Sequence, residues 1–263
     1  MECVQFAIKT KGVSAARACR LFNVNRTNMY YQKKMPHKDL KVKELIQNNL
    51  GRGNCGRNAV IASIRKSQPQ LGASKIRRVY VQHGFSLYKR MKKRRTKNPP
   101  NPIAIPFSAN VEWAVDFMSD ALVNGRRFRT LNVVDQYNRQ CLGIYVGHSM
   151  PARRVIAEMK KIIDRYGKPM AIRTDNGPEF ISKVFQKWLK DNEIKWSAIE
   201  KGKPQQNGIV ERFNRTYRED ILDANLFQTL DQAQQLTDDW IAYYNYERPH
   251  QALEYKTPIE YAA

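Results

Sequence analysis

What the chain lacks narrows the field first. Its four cysteines (Cys3, Cys19, Cys55 and Cys141) are scattered, with no CxxC pair among them. The histidines His37, His83, His148 and His250 also lie far apart, so the spacing of a zinc finger is missing and a reducing compartment is expected. No apolar run approaches the ~20 residues needed to span a bilayer. Nothing reads as a signal peptide. No heptad run with apolar first and fourth positions is present, which argues against a coiled coil. Acidic residues are scarce in one part of the chain only. Residues 1–106 hold 24 Lys and Arg against three acids (Glu2, Asp39 and Glu44), whereas residues 107–263 hold 22 against 21. Nearly all of the net charge of +22 therefore lies in the first two-fifths of the sequence. A polyanion is the natural partner for such a surplus, nucleic acid first.

The 263 residues allow one large or two modest domains, and 42% hydrophobic content is enough for a core. Residues 1–88 read as a basic helical region. Within it, 12–34 and 57–84 each have the pattern of a helix-turn-helix unit. Ser14 is the expected N-cap of the first helix, Asn23-Val24 its turn, and Asn25 or Thr27 the cap of a second. Asp39–Leu50 and Asn58–Ser67 are further expected helices, and Ser74 is the expected cap of another. That last helix directs Lys75, Arg77 and Arg78 outward and Ile76, Val79 and Tyr80 inward. Residues 89–108 read as a linker. The basic run there includes Lys92, Lys93, Arg94 and Arg95, and the four prolines Pro99, Pro100, Pro102 and Pro106 forbid a helix.

From 109 onward the pattern changes to strands. Val111–Phe117, Phe128–Val134 and Cys141–Val146 alternate, and Asn124-Gly125 marks a hairpin turn. Then come an apolar-striped helix from Pro151, a strand Met170–Thr174, a helix capped by Ser182 and a strand Glu193–Ile199. Asp231–Tyr244 is a final amphipathic helix.

Three acids stand out. Asp116 and Asp175 follow short apolar runs, and Glu211 falls in the first turn of a helix for which Asn207 is a plausible cap. Asp175 and Glu211 are separated by 35 residues. Phosphoryl transfer on DNA requires charge stabilisation at phosphorus and activation of a poor nucleophile, and converging carboxylates holding divalent ions do both. Asp135 and Glu179 compete for the same role. Asp135 reads more simply as a satisfied half-buried acid.

The flanks of these acids, together with the segments Lys203–Glu219 and Asp239–His250, resemble the second-reading-frame (OrfB) transposases of bacterial insertion sequences. These belong to the retroviral-integrase-like superfamily with an Asp-Asp-35-Glu signature. The resemblance implies an α/β, ribonuclease-H-like catalytic core over 109–263, preceded by the basic all-helical region. It implies Asp116, Asp175 and Glu211 as catalytic and metal-binding residues for two Mg²⁺, with Mn²⁺ as a substitute. Asp116 is expected in the middle strand of the opening meander and Asp175 at the end of an adjacent parallel strand. The implied partners are terminal inverted repeats, target DNA, further copies of the chain and an upstream-frame (OrfA) product; the implied location is a bacterial cytoplasm, at the nucleoid. Candidate DNA contacts are Lys75, Arg77, Arg78, Lys92, Lys93, Arg94, Arg95, Lys203, Arg215 and Arg218. A phage-type integrase or nuclease of the same fold is the alternative among enzymes; a non-catalytic DNA-binding regulator derived from a transposase is the alternative of another class, and the presence of all three acids speaks against that decay.

Overall fold

The computed structural model describes residues 2–27, 35–51, 56–85, 106–199 and 207–262. The chain falls into two compact units, Met1–Leu45 and Ile46–Ala263. Most of the linker, including Lys92, Lys93, Arg94 and Arg95, lies outside the described residues, as do Cys55 and Lys203.

In the first unit, α1 (Glu2–Lys11) is a helix that the sequence reading did not expect, and α2 (Ala15–Leu21) follows it. Ser14 caps α2 as expected, its hydroxyl accepting from Arg17 N at 3.4 Å. Val4, Ala18 and Cys19 form a small buried cluster between the two helices. Asn23, in the expected turn, adopts a left-handed φ of 50°. Asn25 Oδ1 accepts from Thr27 N at 3.0 Å, but the helix it was expected to start lies at 28–34, outside the described residues. Helix α3 (Met35–Leu50) spans the boundary between the units and begins earlier than the Asp39 expected for it.

The second unit begins with a helical pair, α4 (Arg57–Ser67) and α5 (Ala73–Gln82). Ile76, Val79 and Tyr80 are buried as expected, while Arg77 and Arg78 are exposed and Lys75 is half-buried. Ser74 does not cap α5: Gly72 holds the N-cap position and Ser74 lies inside the first turn.

A five-stranded sheet follows, β1 (Glu112–Ala121), β2 (Arg127–Asp135), β3 (Cys141–Gly147), β4 (Ala171–Thr174) and β5 (Lys195–Ala198). Its spatial order is β3-β2-β1-β4-β5. The first three strands are an antiparallel meander, and β4 and β5 join parallel to β1. The Asn124-Gly125 turn forms where expected, with Gly125 at φ 80° and Asn124 Oδ1 accepting from Arg126 N. Helices α6 (Ala152–Tyr166), α7 (Pro178–Ile181) and α8 (Lys183–Asp191) lie in the crossovers, and Ser182 caps α8. The chain ends with α9 (Gly208–Tyr217), a π turn Arg218–Leu222, α10 (Leu230–Tyr246) and α11 (Pro258–Ala262).

The two faces of the sheet bury different helices, and the period-2 alternation of β1 sorts its residues between them. Trp113 and Val115 join the core under α6 and α8. Ala114 and Met118 join the core under α9 and α10, with Phe213, Tyr217, Trp240 and Tyr244. Asp116 has the parity of Ala114 and Met118, so the fold points it toward α9.

Candidate active site

Asp116 lies on β1, which is the central strand of the whole sheet but an outer strand of the meander; the meander's own middle strand is β2. The register sets Asp116 directly opposite Asn132 of β2. Asn132 has the parity of Phe128 and Val134, so it also faces α9. Glu211 is in the first turn of α9 and Asn214 follows three residues later. Asn214 Nδ2 donates to Asp116 Oδ2 at 2.7 Å, and Asn132 Nδ2 donates to Asn214 Oδ1 at 2.7 Å. Asp116 Oδ1 accepts from Phe117 N at 2.9 Å. A short chain of hydrogen bonds thus ties the carboxylate of β1 to the helix that carries Glu211. The sequence held a faint signal for it: Asn132 interrupts the apolar run Leu131-Asn132-Val133-Val134, and a polar side chain buried in a strand needs a partner.

Asp175 follows the last residue of β4 and is exposed. Its Oδ1 accepts from Gly177 N at 3.0 Å, and Asn176 Nδ2 donates to Ile199 O at 2.8 Å, which pins this loop to the chain leaving β5. A Cβ at Gly177 would stand 3.0 Å from Asp175 Oδ1 and 3.2 Å from Glu179 Oε2. The glycine therefore lets two acids approach one backbone. Glu179 is neutralised by Arg129, whose guanidinium also lies 4.2 Å above the Phe117 ring.

The electrostatics link the three acids. Burial pushes the Asp116 carboxyl up to about 6; Phe117 N–H and Asn214 Nδ2 pull it down, while the charges of Asp175 and Glu211 push it further up. Among the described residues none of the three acids is neutralised by an ion pair, and no three His, Cys, Asp or Glu side chains are gathered tightly enough to form a metal ligand set. The donors are carboxylate oxygens alone, which suits a hard divalent cation. Their mutual repulsion at Asp116 is the kind of field such a cation relieves.

Other sequence candidates fall in different settings. Asp135 is buried and accepts from the backbone of Asn110 and Tyr137, a satisfied structural acid as expected. Asn207 holds the N-cap position of α9 but caps nothing, and its Oδ1 is buried without a partner. Arg215 is exposed, and among the described residues no ion pair joins it to Glu211. Arg218 lies beyond the end of α9, in the π turn, where it donates to Ser119 O at 3.0 Å and stands 3.5 Å from Asp223. His250 packs edge-on against Tyr244 at 4.7 Å, as expected of a residue that seats the C-terminal segment on the core.

Two family models described as integrase core domain match residues 108–204 and 192–258. The chain is 33% identical over 259 residues to the insertion element IS407 uncharacterized 31.7 kDa protein of Burkholderia multivorans, covering 98% of this chain and 94% of that one. It is 25% identical over 262 residues to the putative transposase InsK for insertion sequence element IS150 of Escherichia coli, covering 92% and 91%. Among solved structures, the simian T-cell lymphotropic virus intasome in complex with a PP2A regulatory subunit aligns with a TM-score of 0.56 at 18% identity, over 84% of this chain and 74% of that one. That likeness places the fold among ribonuclease-H-like integrase cores.

Proposed function

Since this chain belongs to the integrase-core family of insertion-sequence transposases, we propose that it cleaves a DNA strand at the end of an insertion sequence and transfers the resulting 3′ hydroxyl to another phosphodiester, using Asp116, Asp175 and Glu211. The observation that carries the assignment is the position of Asp116. It sits on the central strand, faces the helix that bears Glu211, and feels the charges of both other acids. Asp116, Asp175 and Glu211 would hold the divalent cations, Mg²⁺ or Mn²⁺, which would supply Lewis-acid activation of the phosphate and of the attacking oxygen. The protein's own contribution is positional. Asn214 and Phe117 N–H fix the Asp116 carboxylate, and the Gly177 turn fixes Asp175. Glu211 enters from the first turn of a helix that is itself packed on the sheet through Val210, Phe213 and Tyr217.

The basic surplus of residues 1–106 supplies affinity for the phosphate backbone. Lys75, Arg77 and Arg78 on α5 and Arg215 on α9 are the described side chains proposed to meet DNA; Lys92, Lys93, Arg94, Arg95 and Lys203 belong to the same proposal. Arg218 belongs to the same proposal, and it also donates to Ser119 O near the end of β1. Joining two element ends calls for more than one copy on DNA, and an upstream-frame product is a further proposed partner. No helix among the described residues is long and apolar enough to cross a membrane.

The test is 3′-end cleavage and strand transfer with the purified chain, Mg²⁺ or Mn²⁺, and labelled DNA carrying the repeats that flank the coding region. Product should require the metal and fall by at least about a hundredfold in Glu211→Gln, with DNA binding retained. Product that persists in Glu211→Gln would remove that residue from the site.

A further inference from the structure

A cavity of about 820 Å³ opens on the side of α9 away from Glu211, between that helix, the start of α4 and the segment after α10. Its wall includes the aromatic rings of Tyr80, Phe213 and Tyr244. Its polar lining includes Arg57, Arg139 and Arg212.

The arginines differ in how they are held. Arg139 donates to Gln136 O at 2.6 Å, beside the buried Asp135, and Arg248, also in the lining, is paired with Asp220 at 3.2 Å. Arg57 and Arg212 are exposed and, among the described residues, make no ion pair. Gly56 gives α4 no side-chain cap; Ala59 N and Val60 N donate to Gly56 O, so the open N–H groups of that 11-residue helix are the ones before them, where Gly56, Arg57 and Asn58 line the cavity. His250 Nε2 is buried at the same cavity without a hydrogen-bond partner. The charge of Arg212 acts on Arg139, and those of Arg248 and Arg139 act on His250. Asp135 and Asp220 are the acids that face them: Asp220 is paired with Arg248, and Asp135 accepts from the backbone of Asn110 and Tyr137, which leaves Arg57 and Arg212 without an acid among the described residues.

A positive rim over an aromatic wall, in a volume suited to a small organic ligand, matches the chemistry of a nucleotide. Phosphate pairs with guanidinium and helix N–H groups, and every base has a face to lay on an aromatic side chain. We infer that the cavity receives one nucleotide of a DNA strand, unpaired from its complement, with its phosphate at Arg57 and Arg212 and its base against the wall of Tyr80, Phe213 and Tyr244. The inference rests on the transposase reading for its choice of a DNA strand over a free nucleotide. Arg212 and Glu211 share α9, so the cavity and the proposed active site are held by the same helix on different faces.

The experiment compares the whole chain with the double variant Arg57→Gln/Arg212→Gln and with Thr216→Trp, which fills the cavity from α9. Each is titrated against labelled duplexes of the flanking repeats whose terminal nucleotide is paired or unpaired, with 2-aminopurine at that nucleotide, and against free deoxyadenosine monophosphate. The wild type should favour the unpaired end by roughly tenfold, with quenched 2-aminopurine fluorescence. Both variants should lose that preference and the quenching while keeping their affinity for the paired duplex to within about twofold. Free monophosphate should compete only weakly. Equal affinity for both ends, or a preference that survives in both variants, overturns the inference. So does free monophosphate that binds tightly and displaces neither duplex, since the cavity would then serve a soluble nucleotide. Failure of the transposase reading is separate: it appears as absent cleavage and strand transfer while the end preference stands.

Discussion

At the scale of single residues, the proposed site should depend on Asn214, which hydrogen-bonds both Asp116 and Asn132. Asn214→Leu would leave Asp116 Oδ2 and Asn132 Nδ2 buried without partners. A loss of roughly 1–3 kcal/mol is expected in urea unfolding. End cleavage should fall by about tenfold to a hundredfold beyond that, because the carboxylate is no longer aimed. Unchanged cleavage in a folded Asn214→Leu protein would show that the hydrogen bond positions nothing. His250 gives a second prediction. Burial, then the charges of Arg248 and Arg139, pushes its pKa down to about 4 from 6.5. The unfolded chain thus takes up a proton on this ring at a higher pH than the folded one, so stability is full above about 6.5 and declines as pH falls toward 4. The decline attributable to this ring is on the order of 3 kcal/mol. His250→Gln should flatten that part of the pH–stability curve, and identical curves would count against it. The places of the three proposed acids in the fold were legible in the sequence, because each follows an apolar run or opens a helix. The Asn132–Asn214 link was not, because it joins residues 82 positions apart and leaves no periodic trace.

At the scale of elements, legibility followed the strength of the pattern. Helices α6, α8 and α10 have apolar stripes against a packed sheet and emerged with the expected type and nearly the expected ends. Strand β5 shrank from the expected Glu193–Ile199 to Lys195–Ala198, since it pairs along only four residues of β4. Strand β1 ran past the expected Phe117 to Ala121, because the hairpin with β2 continues to Arg127. Helix α1 was missed for want of a signal: of its ten residues only Val4 is buried. The caps divide in the same way. Ser14 and Ser182 precede helices whose backbone N–H groups they reach, whereas Ser74 comes two residues after Gly72, which already holds the N-cap position. Helix α10 starts at Thr229, whose hydroxyl accepts from Gln232 N at 3.1 Å. Thr229→Ala should lower stability by about 1 kcal/mol, with cleavage per folded molecule unchanged. A loss of cleavage without a loss of stability would place that helix start in the chemistry instead.

At the scale of the molecule, charge and chemistry are laid out separately along the chain. The first 106 residues carry nearly all the net positive charge and the last 157 carry the proposed acids. Binding to DNA should therefore weaken steeply with salt, by roughly a thousandfold between ~50 and ~200 mM if six or more phosphates are engaged. Filter binding across that range checks it, and a shallow slope would mean that the basic region is not what holds the strand. The sheet adds a consequence in time. Asp116 and Asn132 sit in a hairpin closed by neighbouring sequence, but Asp175 reaches them through a crossover and Glu211 only on the helix after the fifth strand. A chain leaving the ribosome thus holds the strand pair that carries Asp116 long before it holds Asn214 or the other two proposed acids. If Glu211 is one of the catalytic acids, as proposed, the chain cannot cut DNA until about four-fifths of it has been synthesised, and a message broken before that point would yield a basic fragment without that acid.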